Sequence, residues 1–216
     1  MALNKLKFNS LNVTPTAGKT IGFNSSADGL EATLSGGDMQ FIKKLTASSS
    51  STLSFVNGSS DVVLDNTYKE YVFIFKDIHT STEALFSFNF RDGSTDYDAT
   101  KTTSFFYAYH NEAGSSTGVQ YAGYDLAQGT GFQQIGDNLD ADNDHCLTGF
   151  LHLFNPSSTT FVKHFYGTIQ FNSENGQSTN SFVAGYNNVT AAIDAVQFKM
   201  STGNIDAGTI TLYGIN

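Results

Sequence analysis

The sequence predicts an all-β protein, specifically an antiparallel β-sandwich of jelly-roll type, and three observations favour this fold class. Phe and Tyr, which are enriched in strands, number 19 and 10 among the 216 residues, whereas Pro occurs only twice. Gly, Ser, Thr and Asn, which are frequent in turns, together account for 85 residues. Short segments with a period of two recur from residue 39 onward, and no window has a helical period or coiled-coil heptads.

The first predicted strands of the sandwich lie on either side of a serine-rich turn. Residues 41–47 and 52–57 flank the turn at 48–51, so we expect them to pair as a hairpin. Residues 71–75, YVFIF, form an unbroken apolar run that is typical of a strand buried on both faces.

Residues 84–91 show the clearest alternation in the chain, which predicts an amphipathic strand. The side chains expected on one face are Phe86, Phe88 and Phe90, and those expected on the other are Ser87, Asn89 and Arg91. Further strands are predicted at residues 103–110, 148–155, 160–171 and 181–186.

The chain closes with two short strand patterns joined by a turn. In residues 194–200 the apolar side chains alternate with polar ones, and residues 209–213 repeat that alternation around Ile210 and Leu212. Gly203, Asn204 and Gly208 supply the turn between them. The whole chain is therefore expected to contain roughly ten strands.

Residues 1–40 differ from the remainder and are predicted to be an extended N-terminal arm, with the sandwich domain at 41–216. Only two aromatic residues, Phe8 and Phe23, occur in this segment, so it has too little apolar surface to build its own core. We expect the arm to become ordered when it binds a partner. The alternative interpretation is that residues 1–40 are a flexible terminus. The residues predicted to dock it are Leu3, Leu6, Phe8, Leu11 and Val13.

Charge and composition argue against several classes of function. The net charge is −9 and Arg91 is the only arginine, so no basic cluster exists to neutralise a phosphate backbone, and nucleic-acid binding is not expected. No apolar run approaches the length of a membrane span or a signal-peptide core, which predicts synthesis in the cytoplasm without membrane insertion. The single cysteine, Cys146, rules out an internal disulfide.

An acidic loop at residues 136–144 is the strongest candidate for a metal site. Asp140, Asp142 and Asp144 alternate as in the first half of a calcium loop, where carboxylate oxygens converge on one cation. The complete calcium-loop pattern fails, because His145 stands at the glycine position and Leu151 at the position of the bidentate glutamate. A solvated acidic loop and a weak Ca²⁺ site are the two interpretations, and no other cofactor is expected.

The sequence contains no recognisable catalytic signature. The serines lack a nucleophile-elbow context, and the adjacent His145 and Cys146 are expected to point apart. Four tyrosines near Asn-, Asp- and Gly-rich segments are candidate glycan contacts, because aromatic rings stack on sugars. A sheet edge or a subunit interface is the alternative for these four residues: Tyr107, Tyr109, Tyr121 and Tyr124.

Several strings in the chain resemble a family of virion structural and tail-fibre-like proteins from tailed phages of marine bacteria, above all cyanophages. The similarity covers most of residues 40–216 and also the opening ALNKLKFNSLNVTP. The strings are LTASSSSTLSFVNG (45–58), VVLDNTYKEYVFIFKDIH (62–79), DATKTTSFFYAYH (98–110), HLFNPSSTTFVKHF (152–165) and QFKMSTGNIDAGTITLYGI (197–215).

The resemblance implies a non-enzymatic structural protein on the virion surface, made in the host cytoplasm. The expected partners are other virion proteins, and the expected assembly is a homotrimer that buries sheet edges. A capsid decoration or knob is preferred to a short tail-fibre subunit, because the chain has no shaft-forming repeat. The alternative is a lectin-like module that recognises a host cell-surface glycan; a depolymerase, which needs a carboxylate pair in a groove, ranks third.

Overall fold

The structure is a computed structural model that describes residues 19–23, 26, 28–34, 39–121 and 123–215. The chain separates into two compact units, residues 1–40 and residues 41–216. In the first unit, strands β1 (Lys19–Phe23) and β2 (Leu30–Leu34) pair in antiparallel register. The predicted docking residues lie outside the described residues, so the docking role of the arm stays a prediction; they are Leu3, Leu6, Phe8, Leu11 and Val13.

The second unit consists of two antiparallel sheets packed against each other, which confirms the predicted all-β sandwich. The large sheet has the strand order β3-β14-β5-β10-β11-β12-β7-β8, and the small sheet has the order β4-β13-β6-β9. The jelly-roll form of the sandwich stays a prediction. The strands are β3 (Met39–Thr46), β4 (Leu53–Val56), β5 (Glu70–Thr80), β6 (Ala84–Arg91), β7 (Lys101–Asn111), β8 (Thr117–Tyr121), β9 (Gln133–Leu139), β10 (Leu147–Phe154), β11 (Lys163–Ser173), β12 (Gln177–Asn187), β13 (Ala195–Met200) and β14 (Ile205–Ile215).

The core between the sheets is built largely from phenylalanine rings. Phe198 of β13 is fully buried at its centre, and its ring centroid lies 5.2 Å from that of Phe75 on the large sheet. Because edge-to-face contacts cross the space between the sheets, ring packing fixes their separation as well as burying apolar surface. The other rings in contact with Phe198 are those of Phe55, Phe73, Phe86 and Phe88.

The predicted hairpin of residues 41–47 and 52–57 is wrong. β3 lies beside β14 in the large sheet, whereas β4 pairs with β13 in the small sheet, with Val56 opposite Ala195. The serine-rich segment between them therefore crosses from one sheet to the other, and Ser50 is tied to Ile205 by an isolated bridge. The two closing strands, β13 and β14, likewise belong to different sheets.

The predicted strand at residues 84–91 has the same bounds as β6, but its polar side is buried. Ser87 and Asn89 are almost completely removed from solvent, because β6 lies between β13 and β9 and a loop packs over it. Asn89 donates through Nδ2 to the backbone oxygens of Tyr97 and Thr130, which satisfies the amide in the interior.

The alternation predicted for the two closing strands is confirmed by their burial. In β13, Val196, Phe198 and Met200 are buried, and in β14 Ile210 and Leu212 are buried while the residues between them are partly exposed. Among the described residues, no helix is long enough and apolar enough to span a membrane.

Candidate functional site

The acidic loop between β9 and β10 is folded into a turn by its own hydrogen bonds. Asp140 Oδ1 accepts one hydrogen bond from the backbone N–H of Asp142 at 2.9 Å and another from His145 Nδ1 at 2.5 Å. The backbone N–H of His145 in turn donates to the carbonyl of Asp142. The hydrogen bond from the Asp142 backbone, together with that from His145, holds the pKa of Asp140 below its usual value, although burial opposes this.

This turn brings His145 to the predicted metal ligands in place of Asp144. Ligand atoms of Asp140, Asp142 and His145 lie within 4.8 Å of one another. The Asp144 carboxylate is 76% exposed and lies 3.7 Å from His145 Nε2 on the outside of the turn. Since hydrogen bonds within the turn account for the arrangement, the Ca²⁺ site at Asp140, Asp142 and Asp144 stays a prediction.

A second histidine anchors the loop to the large sheet. His79 of β5 donates from Nδ1 to Asp206 Oδ1 at 2.8 Å and from Nε2 to the carbonyl of Asp142 at 3.1 Å. A carboxylate and a carbonyl can only accept, so this pair of contacts favours the doubly protonated, positively charged imidazole. Burial opposes this charge, but the hydrogen bonds to Asp206 and Asp142 outweigh it and raise the pKa of His79.

The four tyrosines predicted to contact glycan lie on two different faces of the large sheet. In the β7–β8 register Tyr121 stands opposite Phe106, while Tyr107 stands opposite Gln120. Because side chains alternate along a strand, Tyr107 and Tyr109 project to the inner side and Tyr121 to the outer side. The structure therefore groups Tyr107 with Tyr109, whose ring centroids are 6.0 Å apart, and separates Tyr121 from both.

The fourth tyrosine joins the inner group through an aspartate of β9. Tyr124 donates its hydroxyl to Asp137 Oδ2 at 3.3 Å, and burial together with the nearby carboxylate raises the pKa of the Tyr124 phenol. Burial and the charge of Asp137 raise the pKa of Tyr107 in the same way. Tyr121 instead donates to Asp125 Oδ2 at 3.1 Å.

The outer face of the large sheet carries a band of aromatic side chains that the sequence analysis did not identify. His152 stacks on Tyr166 with centroids 4.8 Å apart and planes 4° apart, and Phe106 stacks on Phe182 at 4.9 Å. The alternation of Phe150, His152 and Phe154 is visible in the sequence, but the neighbouring rings come from separate strands. We call the following residues the outer aromatic face: Phe106, Phe150, His152, Phe154, Tyr166, Phe182 and Tyr186.

A shallow groove of about 510 Å³ crosses the outer aromatic face. Tyr166 and Tyr186 are among its walls, and its lining also includes the small residues Ala184, opposite Tyr166, and Ser104, opposite Ala184 on the next strand. The volume is in the range of sites that accommodate a small ligand, and the lining combines aromatic rings with hydroxyl groups. The chemistry that such a groove offers is stacking on a flat apolar face with hydrogen bonds at its margins.

One edge of the large sheet continues this exposed surface. β8 is the last strand of the sheet, and its side chains Val119 and Tyr121 are 76% and 65% exposed. An exposed edge strand presents unpaired backbone groups to which another strand can add. β8 therefore provides a surface suited to contact with another protein chain.

No protein-family model matches the chain, and it matches neither a curated protein nor a solved structure.

Proposed function

We propose that this chain is a non-enzymatic structural protein on the outside of a tailed-phage particle. In this proposal residues 41–216 form a β-sandwich knob, and residues 1–40 attach the knob to other virion proteins. The strings that resemble marine-phage virion proteins support the particle assignment, and the division of the chain at residue 40 is compatible with a separate attachment segment.

The observation that carries the proposal is the exposed aromatic surface of the large sheet. Soluble monomers seldom expose wide contiguous apolar patches, and such patches mark contact surfaces. Phe106, Phe182 and Tyr166 are all exposed on adjacent strands, so the outer aromatic face is an extended patch. A knob on a particle surface uses such a patch to contact the shell, a tail component or a neighbouring knob.

The same argument favours a homotrimer as the form on the particle. The edge strand β8 and the adjacent Phe106 and Tyr121 expose both backbone groups and rings. Association of copies around a threefold axis would cover that edge in every copy, because each heterologous contact repeats until the ring closes.

The experiment that tests the particle assignment is localisation of the protein on intact virions by immunogold labelling or cryo-EM. Dense label over the head would assign a capsid decoration protein, which is the form we favour. Label confined to the tail would assign a tail-fibre subunit and leave the structural proposal intact. A protein absent from purified particles would refute the proposal.

The attachment role of residues 1–40 has a separate test. A chain reduced to residues 41–216 loses only Met39 and Gln40 from the two packed sheets and keeps the ring-packed core, so we expect it to fold with a β-type circular dichroism spectrum. It should fail to incorporate into particles when it is supplied in place of the full protein. Normal incorporation of the folded truncation would refute the arm.

The second candidate function is host recognition by a lectin-like module, which the groove between Tyr166 and Tyr186 favours. A sugar ring placed on these side chains would stack on an aromatic face and reach the hydroxyls of Thr102 and Ser104. This places the expected glycan contacts on the outer aromatic face rather than at Tyr107, Tyr109 and Tyr124 on the inner side.

The test of the lectin function is saturable binding of the full chain to host envelope polysaccharide. Tyr166→Ala should abolish binding and Tyr109→Ala should leave it unchanged, because Tyr166 lines the groove and Tyr109 does not. If only Tyr109→Ala lost polysaccharide binding, the binding site would lie at the tyrosines predicted from the sequence. EDTA should have no effect on a site made of rings and hydroxyls, whereas sensitivity to EDTA would implicate a bound cation.

A further inference from the structure

A small polar cavity lies on the inner side of the large sheet, near the turn that joins β11 to β12. Its volume is about 40 Å³, which is enough for one ion with one or two water molecules. Phe171 is its one side chain without a polar atom. The others carry oxygen and come from four strands: Tyr107, Asp137, Asn138, Ser173, Gln177 and Thr179.

Two oxygen atoms in this cavity are buried and have no hydrogen-bond partner. They are Asp137 Oδ1 and Ser173 Oγ, and the Ser173 side chain is buried almost completely. A serine hydroxyl next to a carboxylate normally donates to it, and these two groups line the same cavity without forming that bond. The space between them is therefore suited to a third group that both oxygens can contact.

The charge of the cavity decides what that group is. Among the described residues, no lysine, arginine or histidine forms an ion pair with Asp137. Burial raises the pKa of Asp137, although the Tyr124 hydroxyl, the Asn138 backbone and the Gln134 amide favour its ionised form. Asp137 is half-buried, but its Oδ1 is buried without a counter-charge. This costs free energy, which a cation recovers and a water molecule recovers only in part.

We propose that this cavity binds a single hard cation of the Ca²⁺ type, with Asp137 Oδ1 and Ser173 Oγ as ligands. Ca²⁺ takes six to eight oxygen ligands, drawn from carboxylates, amide carbonyls, hydroxyls and water. The side chains of Asn138, Gln177 and Thr179 supply further neutral oxygens around the same space. One carboxylate among neutral ligands defines a site of modest affinity, because affinity for Ca²⁺ rises with the number of charged ligands.

This site is distinct from the acidic loop and independent of the proposed virion role. Asp137 belongs to β9 and faces the interior, whereas Asp140 and Asp142 lie in the loop that follows β9. Asp140 is already occupied by hydrogen bonds from His145 and Asp142, while Asp137 Oδ1 has none. The two groups of carboxylates therefore offer a direct comparison within one protein.

Terbium luminescence tests the proposal with the full chain. Tb³⁺ replaces Ca²⁺ at oxygen sites and emits when a nearby aromatic ring is excited; Tyr107 lines the cavity, and the chain contains no Trp. We expect saturable binding of one Tb³⁺ that Ca²⁺ displaces. Asp137→Asn should abolish this signal, and the double variant Asp140→Asn/Asp142→Asn should retain it. Ca²⁺ should also raise the Tm of the wild type, because the ion binds only the folded chain.

The result that would overturn the proposal is a signal that persists in Asp137→Asn and disappears in the loop double variant. Absence of both the Tb³⁺ signal and the Ca²⁺-dependent rise in Tm in the wild type would also overturn it, and the cavity would then hold water. If Asp137→Asn does not fold, Ser173→Ala replaces it, because this variant keeps the charge and removes one ligand oxygen. We expect Ser173→Ala to weaken Tb³⁺ binding roughly tenfold, and an unchanged affinity would refute the site.

Discussion

Replacement of the buried Lys101 tests whether the end of the sandwich holds an ammonium group out of water. Lys101 is completely buried at the start of β7, and its Nζ donates to the carbonyls of Ala99 at 3.0 Å and Gly131 at 2.8 Å. Burial lowers the pKa of Lys101 to about 8, and the negative charge of Asp98 offsets this only in part. The side chain therefore joins two loops at the cost of burying a charge.

The magnitude follows from the difference between the folded and unfolded pKa values. Because the folded pKa of Lys101 lies below the unfolded value of 10.5, the unfolded chain binds more protons between these two values. The free energy of unfolding should therefore rise as the pH increases through this range. A folded pKa of about 8 corresponds to a gain of up to roughly 2 to 3 kcal/mol between pH 7 and pH 10.

The assay is urea denaturation of the wild type and of Lys101→Met at pH 7, 8, 9 and 10. Other groups, including the tyrosines, titrate in both proteins, so the informative quantity is the difference between the two free energies of unfolding. We expect the wild type to gain stability relative to Lys101→Met as the pH rises. Lys76→Met, at a largely exposed lysine, is the matched control and should show a constant difference.

A difference between wild type and Lys101→Met that stays constant from pH 7 to pH 10 would refute the reasoning. It would mean that the two carbonyl groups compensate fully for burial and that Lys101 keeps its ordinary pKa.

Two further predictions concern the core and the loop anchor. Phe198→Ala should lower the free energy of unfolding by about 4 kcal/mol and the Tm by roughly 10 °C. Phe182→Ala, on the outer face, should lower the free energy of unfolding by about 1 kcal/mol or less. Equal losses of Tm in thermal melts of the two variants would contradict the assigned core. His79→Gln should destabilise the protein more at pH 5.5 than at pH 8.5, because the raised pKa of His79 contributes stability below its unfolded value that is lost as the pH rises through the folded one. Chemical denaturation at the two pH values checks this, and a loss independent of pH would show that the contact with Asp206 does not depend on charge.

The sequence was sufficient to predict individual strands but not the sheets to which they belong. Residues 84–91 coincide with β6, since alternation of aromatic and polar side chains is a local property. The serine-rich turn at residues 48–51 was predicted to close a hairpin and instead connects the two sheets, because turn residues permit a change of direction without specifying the next partner. Register with β13 and β14, roughly 140 to 155 residues away, makes that choice.

Four strands were not predicted: β1 and β2 lie in the segment expected to be an extended arm, whereas β8 and β9 were missed because their burial is unusual. β9 contains two buried glutamines, and Gln133 is accommodated because its Oε1 accepts from Thr103 and its Nε2 donates to backbone carbonyls. β8 is almost entirely exposed, so no alternation marks it. In both strands tertiary or solvent contacts replace the pattern on which sequence-based prediction depends.

Buried polar groups at the end of the sandwich were also beyond prediction. Lys101 and Lys163 stand opposite Asn187 on neighbouring strands, and all three side chains are fully buried. Each ammonium group donates to two loop carbonyls, those for Lys163 being Val189 and Ala191. A lysine in a sequence is normally expected at the surface, and only the path of the loops shows that these carbonyls replace water.

The large sheet separates the two proposed binding regions, and this separation makes their tests independent. Tyr107 faces inward to the Asp137 cavity, while its neighbour Phe106 faces outward to the aromatic surface, because adjacent residues of β7 point to opposite sides. Tyr166→Ala should therefore leave Tb³⁺ binding unchanged, and Asp137→Asn should leave polysaccharide binding or particle attachment unchanged. If Asp137→Asn altered both, the bound cation would be stabilising the whole sheet, and contact with the outer face would depend on the ion.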